Sequence, residues 1–111
     1  DRAVVVSTTD ASALRDAQRT VSVLRNRIPR IHLVVNRVQP RLLRRLHTTI
    51  DDAMDAAGLP LLGIVPEDPQ VMLCANQGQP LILRASRGAA VAYLNIAKRL
   101  LGQKAPLMKM R

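Results

Sequence analysis

Three short apolar runs constrain the fold of this chain more than any other feature of its sequence. Residues 3–6, 31–35 and 61–65 are rich in Val, Ile and Leu and lack the regular polar alternation of a half-exposed strand. Runs of this kind are typical of strands that are covered on both faces, as in parallel sheets flanked by helices. We therefore predict three strands, each buried on both sides.

Helical patterns occupy the segments between and after these runs. In each pattern a residue suited to capping lies at the start, apolar residues recur at three- and four-residue steps, and a glycine or proline lies at the end. The four predicted helices lie between Asp10 and Pro29, Thr49 and Gly58, Asp68 and Gly78, and Ser86 and Gly102. Residues 79–84 are predicted to be irregular.

The order of these elements predicts an α/β fold with three parallel strands and flanking helices, joined by right-handed crossovers. Three parallel strands leave a sheet edge uncovered, and the first strand follows Asp1-Arg2 directly. We therefore expect residues 1–102 to form the C-terminal half of a larger doubly wound domain, with a short basic tail over residues 103–111.

The charge of the chain is strongly positive, with a formal net charge of +9, and eight arginines but no acidic residue lie between positions 17 and 50. Such a segment attracts nucleic acid, nucleotides or anionic lipid, and it is equally compatible with a solvated surface. Tyr93 is the only aromatic residue, which argues against a stacking platform for single-stranded nucleic acid. Cys74 has no second cysteine to pair with, a composition that suits the cytoplasm.

Polar residues follow all three predicted strands, at the sheet edge where open parallel sheets bind ligands. Asn36 offers a donor and an acceptor in one plane, the complement of an adenine edge, and the Arg37 guanidinium could stack on such a base. The loop after the third strand could line the same pocket with backbone groups; its residues are Pro66, Glu67 and Asp68. Helix capping is the alternative role for Asp68 and for Asp10, which follows the first strand.

Residues that would handle phosphate are missing from the sequence. The P-loop pattern G-x-x-x-x-G-K-[ST] occurs nowhere, since Ile64 and Val65 follow the suitably spaced Gly58 and Gly63. No metal-ligand spacing and no nucleophile elbow is visible either. The sequence thus predicts contacts to the base of a purine nucleotide, without a catalytic residue or a metal ligand.

Four segments resemble the C-terminal half of MinD-type members of the ParA/MinD family of deviant P-loop ATPases. They are, in this order, VVVSTTDASALRDAQRTVSVL, LVVNRVQP, LLGIVPEDPQVMLCANQGQPLIL and AYLNIAKRLLGQKAPL. The resemblance covers nearly the whole chain, and its most specific parts are the Asn-Arg strand end, GIVPED and NQGQP.

The resemblance implies a function in placing the division septum. Complete members bind ATP with Mg²⁺, form homodimers through the nucleotide face, recruit MinC, respond to MinE, and lie in the cytoplasm and peripherally at the inner membrane through a C-terminal helix. Carried over by position, Asn36 would contact adenine, with Arg37 and the 66–68 loop around it. The dimer and partner surface would include Asp10, Arg15, Asp16 and Arg19.

The chain also departs from the family pattern. It carries neither the P-loop lysines nor the magnesium-binding aspartates, so we do not expect it to hydrolyse ATP alone. Asp10 stands where proline is usual, and the tail after Gly102 is too short for the membrane helix. Two alternatives stay open: a ParA-like or flagellar-number ATPase whose basic face binds DNA, and a stand-alone basic α/β module that binds nucleic acid.

Overall fold

A parallel sheet of three strands forms the centre of the computed structural model, which describes residues 1–39, 41 and 60–106. The strands are β1 (Arg2–Ser7), β2 (Arg30–Val38) and β3 (Leu61–Pro66), in the order β1-β2-β3. Both neighbouring pairs are parallel. The predicted strands and the α/β class are therefore confirmed.

Four helices flank this sheet: α1 (Ala11–Leu24), α2 (Pro69–Asn76), α3 (Leu81–Arg84) and α4 (Ala89–Leu100). The helix predicted between Thr49 and Gly58 lies outside the described residues, as do basic residues 42–46 and tail residues 107–111. Gly78 and Gly102 follow α2 and α4 with φ of 65° and 82°, and each closes its helix through backbone hydrogen bonds to the last turn. These two predicted helix ends are confirmed.

Three helix boundaries differ from the prediction. Helix α1 ends at Leu24, before Pro29, because the chain turns there toward β2 and Ile28 N–H closes a single turn onto Leu24 O at 2.8 Å. The segment predicted as irregular contains the short helix α3, since Pro80 sets a φ of −64° directly before it. Ser86 does not cap α4; the N-cap is Gly88, which has no side chain to supply an acceptor.

The core lies on both faces of β2. Leu33 and Val35 belong to a cluster shared with α1, whereas Val34 belongs to a cluster shared with α4. This arrangement explains why the run in β2 is continuously apolar, because its alternate side chains enter two separate cores.

Helix α4 approaches β3 closely at Gly63. A Cβ atom at this position would overlap Ile96 Cγ1 and would lie 2.7 Å from Ile96 Cδ1. Glycine is therefore required for helix–sheet packing here, a role that has nothing to do with a phosphate loop.

Strand β1 is less buried than predicted. Val5 is buried against the α1 cluster, but Val4 and Val6 are 41% and 59% exposed. Within the described residues β1 is an edge strand, paired only with β2. No helix in the part of the chain that the structure describes is long and apolar enough to cross a membrane.

Candidate functional site

A bulge near the end of β2 sets the position of Asn36 and Arg37. After a first register shift between Leu33 and Val34, the pair Val35 with Ile64 is followed by Val38 with Pro66, so β2 contains one extra residue between Val35 and Val38. Arg37 takes the left-handed conformation, with φ of 57°. These two residues were predicted to follow the strand; the structure places them inside its irregular last part, because pairing resumes at Val38.

The loop after β3 is tied to the same bulge. Glu67 N–H donates to Val38 O at 2.8 Å, which holds the loop against the end of β2. One guanidinium nitrogen of Arg37 lies 3.4 Å from Glu67 Oε1. Since both side chains are largely exposed, this ion pair is weak and stays available for other partners.

Asp68 joins the beginnings of two helices. Its Oδ1 accepts a hydrogen bond from Gln70 N–H at 3.0 Å, which confirms Asp68 as the cap of α2. Its Oδ2 accepts one from Ala89 N–H at 3.1 Å, the first residue of α4. Asp68 therefore does for α4 what Ser86 was predicted to do, and it fixes the start of α2 beside the start of α4.

The approach of Asp68 to α4 depends on Gly88. This glycine has φ of 62° and ψ of −126°, a combination that side chains disfavour. A Cβ atom on it would lie 2.6 Å from Asp68 Oδ2. The absence of a side chain thus leaves room for the carboxylate.

A groove of about 340 Å³ lies between these elements. Its lining contains all five residues predicted to surround a base: Asn36, Arg37, Pro66, Glu67 and Asp68. Its remaining lining is apolar or aromatic and comes from Val65, Val71, Met72, Ala75 and Tyr93. The structure therefore brings the predicted residues of two strand ends together at one groove.

The second half of the lining was missed by sequence reasoning. Val71, Met72 and Ala75 lie on α2, which was predicted as a helix without a part in the site, and Tyr93 lies on α4. The sequence signal that could have found the three residues of α2 is their position, because they lie on a predicted helix that directly follows a polar strand end. Cys74, on the same helix, is buried.

The chemistry of the groove suits a small planar molecule with a polar edge. Its lining combines an amide, a guanidinium and carboxylates with apolar side chains. The volume is at the lower end of that of known small-molecule sites. Among the described residues no three His, Cys, Asp or Glu side chains are grouped so that they could hold a metal ion.

The residues predicted for a dimer and partner surface lie on and before α1, apart from this groove. Asp10 caps the helix by accepting from Ala13 N–H at 3.0 Å, and Thr8 Oγ1 donates to its other oxygen. The Thr8 hydrogen bond, followed by that from Ala13, holds the pKa of Asp10 below its usual value. Arg19 lies 3.6 Å from Asp16 in an exposed pair, and Arg15 is exposed.

Comparison with known proteins gives one consistent group of relatives, although no family model matches the chain. The septum site-determining protein MinD of Bacillus subtilis is 39% identical over 110 residues, which cover 96% of this chain and 41% of that protein. MinD of Synechocystis is 35% identical over 109 residues, with 96% and 41% covered. The chain therefore spans about two fifths of the length of the curated relatives it matches.

Solved structures agree with these matches. MinD in the MinC:MinD cell division complex of Aquifex aeolicus superposes with a TM-score of 0.88 and 28% identity, covering 98% of this chain and 46% of that one. The MinD of Pyrococcus horikoshii, solved with Mg-ADP, shares the fold with a TM-score of 0.71 and 23% identity, covering 89% and 40%. The fold is thus a part of the α/β P-loop NTPase fold.

Proposed function

We propose, because this chain corresponds to the C-terminal part of MinD-type septum site-determining proteins, that it supplies the base-binding side of an ATP site in a protein that positions the division septum. The observation that carries the proposal is the groove that unites the Asn36-Arg37 bulge with residues 66–68 over an apolar lining. A groove with that division of polar and apolar surface suits a purine.

Adenine is the part of the nucleotide that these residues would contact. The Asn36 side chain can donate to and accept from the polar edge of adenine, and Arg37 can leave its exposed pair with Glu67 to cover the ring. Since the sequence has no P-loop pattern, the phosphates and Mg²⁺ of ATP are held by other residues in the proposed protein.

The partner surface of the proposed protein includes the exposed side of α1. Asp10, Arg15, Asp16 and Arg19 lie there, and charged groups of both signs suit a partner or dimer contact. The Aquifex MinD relative forms a complex with MinC, and this supports MinC as the partner class. By the family resemblance, the proposal extends to a homodimer, to regulation by MinE and to a peripheral position at the inner membrane. Residues 1–102 would belong to the NTPase domain and residues 103–111 to its basic tail.

The test is calorimetric binding of adenosine and guanosine to the 111-residue chain. Nucleosides are used because they are uncharged, so the net charge of +9 does not attract them nonspecifically. Asn36→Ala should weaken adenosine binding roughly 5- to 30-fold, as expected for the loss of one or two hydrogen bonds, and should reduce the preference over guanosine.

Asn26→Ala is the matched control, because Asn26 is an exposed asparagine in the turn after α1 and does not line the groove. It should leave both affinities unchanged. Equal affinity and equal base preference in the wild-type chain and the Asn36→Ala chain would refute the proposal, as would a wild-type chain that does not bind adenosine.

A further inference from the structure

The only aromatic residue of the chain lines the candidate groove. Tyr93 is the single Tyr in a sequence without Phe or Trp. It lies on α4, it is 41% exposed, and it shares the groove with the bulge of β2 and the 66–68 loop. A lone aromatic side chain that is only partly packed at the site of interest calls for a role other than filling the core.

Tyr93 shares the apolar lining of the groove with side chains of α2. Met72 and Val71 on α2 are exposed large apolar side chains that line the same space. The double hydrogen bonding of Asp68 holds the starts of α2 and α4 together, so the spacing of these two apolar surfaces is fixed close to the polar residues. A ring bound in this groove therefore shares it both with Asn36 and with these apolar side chains.

We propose that Tyr93 is a base-contacting residue, which makes the groove selective for a planar aromatic ring over an aliphatic group of similar polarity. This inference rests on the proposed function, and it adds an aromatic contact to the hydrogen bonds that Asn36 would form with the base. Aromatic side chains contribute strongly to the binding of bases because every base offers a π face. Met72 supplies a polarisable side chain that adapts to the ring from α2.

The sequence itself provides a direct readout. The aromatic proton NMR signals of the chain come only from Tyr93 and the two histidines, so the Tyr93 ring signals can be followed without labelling. A purine ring that lies against Tyr93 shifts these signals through its ring current. Titration with adenosine should move them, whereas titration with ribose, which has no base, should leave them in place.

Two variants distinguish the contribution of the Tyr93 ring to adenosine binding from the contributions of its hydroxyl group and of its volume. Tyr93→Phe keeps the ring and should retain adenosine affinity within about twofold, whereas Tyr93→Leu keeps an apolar side chain without a π face and should bind roughly 5- to 30-fold more weakly. Leu94→Ala is the control for changes on the same helix, since Leu94 is exposed and does not line the groove. Thermal melting of each variant establishes that it is folded.

The outcomes distinguish this inference from the proposed function. Shifted Tyr93 signals together with the loss in Tyr93→Leu support both. Adenosine binding that depends on Asn36, with unmoved Tyr93 signals and an unchanged affinity in Tyr93→Leu, overturns the role of Tyr93 and leaves the proposed function standing. If the folded wild-type chain shows no adenosine binding by calorimetry, the proposed function fails, and the role of Tyr93 fails with it.

Discussion

Replacement of Gly88 by alanine tests how the start of α4 is held beside the groove. The new Cβ atom would lie 2.6 Å from Asp68 Oδ2, well inside contact distance. That oxygen accepts the hydrogen bond from Ala89 N–H, so the methyl group and the hydrogen bond compete for one position. The substitution also forces a side chain onto a backbone with φ of 62° and ψ of −126°.

The expected cost has two parts. A non-glycine residue in such a backbone region costs about 1–3 kcal/mol. Weakening a hydrogen bond to a charged acceptor costs up to about 1.5–3 kcal/mol, and less here because Asp68 is only half-buried. A total of about 3 kcal/mol is a large share of the roughly 5–15 kcal/mol that stabilises a domain. In a domain of this size it should lower the midpoint of thermal unfolding by roughly 10–25 °C.

The assay is thermal and denaturant unfolding followed by circular dichroism, with Gly78→Ala as the matched control. Gly78 also has a positive φ, 65°, but among the described residues no atom beyond its two chain neighbours lies within 4 Å of the added Cβ. Its replacement should therefore cost only the backbone part, about 1–2 kcal/mol. The difference between the two variants contains the contact with Asp68 and any extra cost of the Gly88 backbone conformation.

A double-mutant cycle then assigns that difference. In a chain that already carries Asp68→Ala, the carboxylate is gone, so Gly88→Ala should cost no more than the backbone part. The reasoning is refuted if Gly88→Ala is no more destabilising than Gly78→Ala, or if the effects of the Asp68 and Gly88 changes simply add.

Two further predictions concern packing and pH. Gly63→Ala should destabilise the chain by about 1–3 kcal/mol through overpacking against Ile96, and Ile96→Ala in the same chain should recover part of this loss, measured as the urea midpoint. The lowered pKa of Asp10 means that its carboxylate contributes stability above its unfolded-state pKa, and that this contribution is lost as the pH falls through the folded-state pKa. Asp10→Asn keeps a capping acceptor without the charge, so the wild-type chain should be the more stable at neutral pH and the two urea midpoints should converge in acid; a constant difference would contradict the assignment.

The strands of the sheet could be predicted because each is indicated by a continuous apolar run in the sequence. The runs in β2 and β3 are apolar at every position that enters a core, and the structure confirms both as strands with helices on either side. The run in β1 carries the same composition, yet Val4 and Val6 are exposed in the part of the chain that the structure describes. Composition alone therefore indicates that a strand is suited to burial, whereas the elements that cover it are set by the rest of the fold.

The site could be predicted on its polar side for a related reason. Asn36 directly follows one apolar run, and Glu67 follows another after Pro66. Parallel strands bring their carboxyl ends to one edge, so a rule about neighbouring strands is enough to place these residues together. The bulge that moves Asn36 and Arg37 into the strand has no such signal. The bulge arises because pairing with β3 resumes at Val38. The positive φ of Arg37 could not be predicted from the residue type, since arginine rarely adopts it.

The apolar side and the cap of α4 depend on contacts between residues far apart in the chain. Asp68 and Ala89 are separated by two helices, and nothing near Ser86 indicates that a carboxylate from another loop takes its place. The same contact requires Gly88 and brings α4, with Tyr93, beside α2. Since one carboxylate sets both the helix start and the shape of the groove, stability and ligand binding should change together when Asp68 is altered. At Asn36 and Tyr93, which take no part in this cap, binding should change with little loss of stability.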